Sequence, residues 1–276
     1  MRDARSAFET YTRGLGFPVS WAPEDHGGWD SCALWLGDAS LELLSPKPRA
    51  HSVEGSYMDR ALAARGEGLV LLAFEPEALH NMVAELRERG ALVYEPVHYQ
   101  PDDPDGTGFT TAFIGRRSTP GLSTFLCEYD RPFRPADDGG GALNVKKLDH
   151  VVIATEDLED SAAKWERNLG LRVEERLSQP LGSGFEVARL PVGDAFIELV
   201  KPVEEKGRFA EQFRERGEGF FSISIEVEDL DAAVSYLRGR GAKVSDTEPG
   251  IWPGSRVARI NRSSTHGVSI QLIERR

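Results

Sequence analysis

The sequence predicts an α+β fold of mixed sheets built from tandem βαβββ modules, and three observations carry that prediction. The stretch His150–Val173, HVVIATEDLEDSAAKWERNLGLRV, recurs as SISIEVEDLDAAVSYLRGRGAKV (Ser222–Val244) and as LLAFEPEALHNMVAELRERGALV (Leu71–Val93). The two halves of the 276-residue chain also match each other at conserved spacing: LGDASLELLSP (Leu36–Pro46) parallels VGDAFIELVKP (Val192–Pro202), and RGEGLVLLAFE parallels RGEGFFSISIE. Within each copy the apolar residues switch from a period of two to a helical period and back, which is the signature of strand, helix, strand.

The second half is the easier to read. Leu148–Thr155 is a β-branched strand, and Asp157 or Asp160 can cap a helix whose apolar stripe is Ala162, Trp165 and Leu169. Asn168 and Gly170 end that helix. Strands follow near Leu171–Leu177, Gly184–Leu190 and Ala195–Val200, then a loop and helix over Glu204–Arg216. The second pass has a strand over Phe220–Val227, a helix over Leu230–Arg240, and strands near Ala242–Ser245, Arg256–Asn261 and Gly267–Ile273. In the first half the helix Arg5–Gly14 corresponds to Glu159–Asn168, but the strand that should precede it has no counterpart after Met1. Either the chain starts upstream or the fold tolerates the gap, and an open strand edge invites pairing with a second copy, a homodimer. The run Phe133–Val145, FRPADDGGGALNV, reads as a linker. The expected organisation is therefore a first domain over 1–132, a linker over 133–145 and a second domain over 146–276.

Composition narrows the partners. A net charge of −12, from 33 Lys+Arg against 45 Asp+Glu, repels polyanions, and no basic stripe argues for nucleic acid. No apolar run reaches the length of a membrane helix, and the N-terminus lacks the apolar core of a signal peptide, so the expected setting is cytoplasmic. Cys32 and Cys127 stand alone in separate strands, which excludes a disulfide framework and a thiolate zinc site.

The strand opening DHVVIA followed by DLE, the strand GDAFIEL and the terminal strand HGVSIQLIE together resemble the vicinal oxygen chelate superfamily, which includes glyoxalase I, methylmalonyl-CoA epimerase, extradiol dioxygenases and bleomycin-resistance proteins. The resemblance covers nearly the whole chain and implies two glyoxalase-like domains with cupped sheets. It also implies four metal ligands, which fall on His150, Glu198, Ser222 and Gln271. Ser222 stands where the family has a histidine, and Gln271 where it has a glutamate. A set of one imidazole, one carboxylate, one amide and one hydroxyl holds a divalent ion (zinc, nickel, cobalt, manganese or iron) weakly if at all. In the first half the matching positions are Glu42, Leu71 and Phe125, so that half has lost the site and keeps a leftover carboxylate.

Each candidate has a plainer reading beside the functional one. His150 could be a satisfied histidine at a strand end, or a metal ligand; Glu198 alternates onto the face of Phe196 and Val200, where a carboxylate in an apolar cup could act as a base. Gln271 could ligate, or simply belong to a half-exposed strand. Ser222, Phe221, Trp252 in its Pro/Gly loop and His266 before the last strand are expected to contact substrate. Three functions compete. One is a lyase or isomerase that acidifies a C–H beside a carbonyl of a small 2-oxo, hydroxy or thioester metabolite, with metal at His150, Glu198 and Gln271 and with Glu198 shuttling the proton. The second is a metal-free protein that binds a small molecule. The third, an extradiol dioxygenase, needs two histidines and a carboxylate for iron and finds only His150.

Overall fold

The computed structural model describes residues 1–47, 53–100, 107–131 and 141–276. Most of the linker expected at Phe133–Val145 lies outside the described residues. In chain order the elements are helix α1 (Ala4–Glu9), continued by a wider π-type turn over Thr10–Gly14, then strands β1 (Val19–Asp25), β2 (Trp29–Trp35) and β3 (Ser40–Pro46) and helix α2 (Val53–Arg65). Next come β4 (Leu71–Phe74), α3 (Leu79–Glu88), β5 (Val97–Tyr99), β6 (Phe109–Ile114) and β7 (Ser123–Tyr129). The second half repeats the order as β8 (Val145–Ala154), α4 (Leu158–Leu169), β9 (Glu175–Ser178), β10 (Phe185–Val192), β11 (Ala195–Pro202) and α5 (Arg208–Arg216). It closes with β12 (Gly219–Val227), α6 (Leu230–Gly239), β13 (Glu248–Pro249), β14 (Ser255–Ile260) and β15 (Ile270–Arg275). The tandem βαβββ reading holds, and among the described residues the first module opens with its helix.

The caps follow from the sequence. Asp157, not Asp160, is the N-cap of α4, its carboxylate accepting from the Asp160 N–H, and Gly170 closes the helix at φ +74°. Asp229 does the same for α6 through the Ala232 N–H. The strand expected at Ala242–Ser245 is reduced to a single bridge, Val244 to Ile260, and the edge strand forms later at Glu248–Pro249. The run SDTEP explains this, since turn formers and a proline shorten an edge strand.

The chain folds into two compact units that re-pair the quarters of the sequence. Unit 1 comprises Met1–Leu69, Arg134–Val151 and Ser222–Arg276; unit 2 comprises Val70–Phe133 and Val152–Phe221. In unit 1, β1, β2 and β3 form an antiparallel sheet, while β12 pairs in parallel with β15, which pairs antiparallel with β14. Tyr11 is wholly buried there and donates its hydroxyl to the Thr265 carbonyl at 2.8 Å. In unit 2, β4 pairs in parallel with β7, and β7, β6 and β5 continue antiparallel. The antiparallel set β11, β10, β9 belongs to the same unit. Its core gathers Leu79, Val83, Leu86, Ala112, Ile114 and Leu126, and the fully buried Trp165 meets Phe74 edge-on.

Candidate functional site

Strand β8 carries Asp149 and His150 in succession, and both are buried (1 % and 3 % exposed). Burial of two ionisable groups is costly unless they are paired. Here Asp149 is held by Arg275 of β15, whose Nε and Nη2 donate to Oδ2 and Oδ1 at 2.5 and 2.7 Å. The same carboxylate meets His150 Nδ1 at 2.6 Å. Burial pushes the Asp149 carboxyl up, but the hydrogen bonds and charges of Arg275 and His150 outweigh it and hold the group well below the usual carboxylate range. With Asp149 ionised, the bond keeps a proton on Nδ1, and Nε2 is the ring atom through which His150 can act.

Also in unit 1, Gln271 of β15 lies opposite Ser224 of β12 and donates from Nε2 to Ser224 Oγ at 2.9 Å. Ser222 is half-buried on the same strand. His266 stacks on Tyr11 with ring centroids 6.4 Å apart and meets Thr10 Oγ1 at 3.0 Å through Nε2, at a left-handed φ of +45°. Trp252 was expected as an exposed loop aromatic. It is instead 4 % exposed, and its carbonyl accepts from Ser255 Oγ, which locks the loop.

Unit 2 holds Glu198 and Phe221. Glu198 is 2 % exposed, and its Oε1 accepts from Nη2 and Nε of Arg189 at 2.9 and 3.3 Å. The two residues face each other across β10 and β11. The Arg189 guanidinium also lies 4.4 Å from the centroid of the Phe196 ring and 3.4 Å from Glu175. Phe221 meets Phe209 of α5 at a tilt with ring centroids 4.5 Å apart, and Phe209 reaches Phe185 at 5.3 Å, making an apolar cluster.

These observations test the expected metal set. His150 has the backing carboxylate typical of a ligating histidine. Glu198, however, is already bonded to a guanidinium, the Gln271 amide is engaged with Ser224, and Ser222 offers only a hydroxyl. A cation approaching Glu198 would meet Arg189 as well. Such a donor set does not fit a tightly held divalent ion. No cluster of three or more His, Cys, Asp or Glu side chains suited to metal occurs among the described residues. Sequence reasoning missed Arg275, Arg189 and Ser224. Arginines at strand ends and on half-polar strands read as solvent-facing, and only the register shows their partners.

With this geometry in hand, comparisons decide the family. The model described as "Glyoxalase-like domain" matches residues 1–147, and that of the "Glyoxalase/Bleomycin resistance protein/Dioxygenase superfamily" matches 149–258. The chain belongs to the vicinal oxygen chelate superfamily. Its two glyoxalase-like domains stand in tandem. The methylmalonyl-CoA epimerase of Homo sapiens is 30 % identical over 142 residues, which are 50 % of this chain and 80 % of that protein. The enzyme of the same name from Dictyostelium discoideum is 29 % identical over 138 residues, 49 % of this chain and 82 % of that one. A mutant of 4-hydroxymandelate synthase from Streptomyces coelicolor superposes over 100 % of this chain and 90 % of its own with a TM-score of 0.73 at 16 % identity, a likeness of fold. Among the described residues, no helix of this superfamily member is long and apolar enough to cross a membrane.

Proposed function

We propose that this protein is an isomerase or lyase of the glyoxalase–epimerase type that moves a proton beside the carbonyl of a small 2-oxo, hydroxy or thioester metabolite. The observation that carries the reading is the buried chain Arg275–Asp149–His150. A histidine so held has its tautomer and ring plane set in advance, which a proton-transfer group needs and a merely packed histidine does not.

His150 Nε2 takes the proton from the substrate C–H, and the electron pair left on carbon is delocalised into the carbonyl as an enolate. The imidazolium is stabilised by Asp149, itself neutralised by Arg275. A proton supplied by solvent to the other face of the carbon, while the imidazolium releases its own to solvent, gives an epimer, whereas expulsion of a neighbouring leaving group gives a lyase product. No step passes through a metal, and any ion is held weakly. Glu198, tied to Arg189, is a structural carboxylate in this reading rather than the proton shuttle expected from sequence. Ser222, half-buried in the same unit as His150, supplies a polar contact to substrate. The epimerase relatives make a CoA thioester the first substrate to test.

Purified protein incubated with methylmalonyl-CoA in D2O, with and without added divalent metal, should incorporate one deuterium at the carbon between the carbonyls. His150→Gln should slow exchange about 100-fold. Absence of exchange in every metal condition would overturn the enzymatic reading for this substrate. A second reading, a metal-free binding protein, is favoured by the Arg189–Glu198 pair, which already satisfies the carboxylate. Saturable binding of the thioester, unchanged by chelator and without exchange, selects it.

A further inference from the structure

In unit 1 the register of β1, β2 and β3 places Ala33 between Trp21 on one side and Glu42 on the other. Residues opposite each other across a sheet point to one face. Trp29, Ser31, Ala33 and Trp35 of β2 therefore share a face with Glu24 and Trp21 of β1 and with Ser40, Glu42 and Leu44 of β3. The other face, with Cys32, Leu34, Leu41 and Leu43, is core, and Cys32 Sγ points to the Ala4 carbonyl of α1. Three of the chain's five tryptophans thus gather with two carboxylates on one side of one small sheet.

The internal repeat says what is absent from this face. Glu42 occupies the position of Glu198, and Ala33, its cross-strand partner, occupies the position of Arg189. In unit 2 the carboxylate is closed by the protein's own guanidinium, which lies over Phe196. In unit 1 the guanidinium is replaced by a methyl group, the Phe196 ring by Ser40 and the Glu175 carboxylate by the indole of Trp21. Among the described residues no hydrogen bond or ion pair reaches the Glu42 carboxyl. Glu42 is exposed, yet its carboxyl is pushed up to about 7, first by desolvation and then by the charge of Glu24. His26, whose Nε2 lies 2.8 Å from Ser31 Oγ and whose ring stacks on Trp29 at 4.9 Å, borders the same face.

We infer that this face is a second ligand site, taking a guanidinium group carried on a small organic molecule. Glu42 supplies the counter-charge, Glu24 adds a longer-range attraction, and the indoles of Trp21 and Trp35 offer the faces on which a guanidinium stacks. The ligand's cation takes the part that Arg189 plays in the other unit. The reading is independent of chemistry at His150.

Calorimetric titration of the full chain with n-butylguanidinium, and with n-butylurea as its neutral counterpart, tests this. The cation should bind saturably at one site, and the urea at least about tenfold more weakly. Glu42→Gln, which keeps shape and removes charge, should weaken the cation by a similar factor. Ala33→Arg should abolish binding by supplying a tethered guanidinium. Equal binding of urea and guanidinium, or guanidinium binding untouched by Glu42→Gln, would overturn the assignment. Because Glu42→Gln is isosteric, the test does not depend on whether the larger Ala33→Arg change folds.

Discussion

The same carboxylate stands at the same place in the two halves of this chain, and its surroundings give it opposite characters. Glu198 is shut away with Arg189 across the strand, Phe196 beside it and Glu175 beyond. Glu42 faces Ala33 and Trp21, with no guanidinium opposite. Duplication kept the backbone register and changed the neighbours, Arg189 to Ala33, Phe196 to Ser40 and Glu175 to Trp21, so that one copy completes its own charge and the other leaves it open. Which residue sits across the strand therefore decides the state of the carboxylate.

The largest effect should come from breaking the closed copy. Arg189→Met leaves Glu198 buried without its partner and should cost about 3–5 kcal/mol in urea unfolding, while Arg189→Met/Glu198→Met together should recover most of that loss. If the single change costs no more than the double, the pair does not hold the carboxylate as described. Next in size is Asp149→Asn, which removes the acceptor of Arg275 and His150 and should cost about 2–3 kcal/mol at neutral pH. Because the Asp149 carboxyl is depressed in the folded state, its contribution is present above about pH 4 and is lost as pH falls further. The difference from wild type should therefore shrink in acid, which unfolding curves at pH 7 and pH 3 measure. A difference constant with pH would remove the electrostatic part of the account.

The smallest effect sharpens the comparison from the open side. The Glu42 carboxyl is raised from 4.5 to about 7, so the folded state holds a proton that the unfolded state gives up across that interval. Stability should fall as pH rises from about 4.5 to 7 and level off above it. Glu42→Gln should thus stabilise the protein at pH 8 by about 1 kcal/mol, discounted because the residue is reached by solvent, and by almost nothing at pH 4.5. Destabilisation at pH 8 would mean that Glu42 is already satisfied.

Much of the fold was legible because it is written several times. The repeated DLE and DLD caps, the Gly170 stop and the GDA turns announce the modules even where single strands are ambiguous, and the short edge strand after Val244 failed only where SDTEP interrupts the pattern. The site was less legible. His150 and Glu198 were found from their places in the repeat, but what each touches depends on cross-strand register and on residues far away in sequence, such as Arg275. Trp252 misled because a Pro/Gly loop reads as surface, whereas its ring is buried.

The contrast between the two carboxylates is tested most directly by carbon-13 NMR titration of Glu42, with glutamates labelled at the carboxyl and Glu42→Gln identifying its signal. The account predicts a midpoint near 7 that falls below 4.5 when Ala33 is replaced by arginine. A midpoint near 4.5 in the unaltered protein would contradict it.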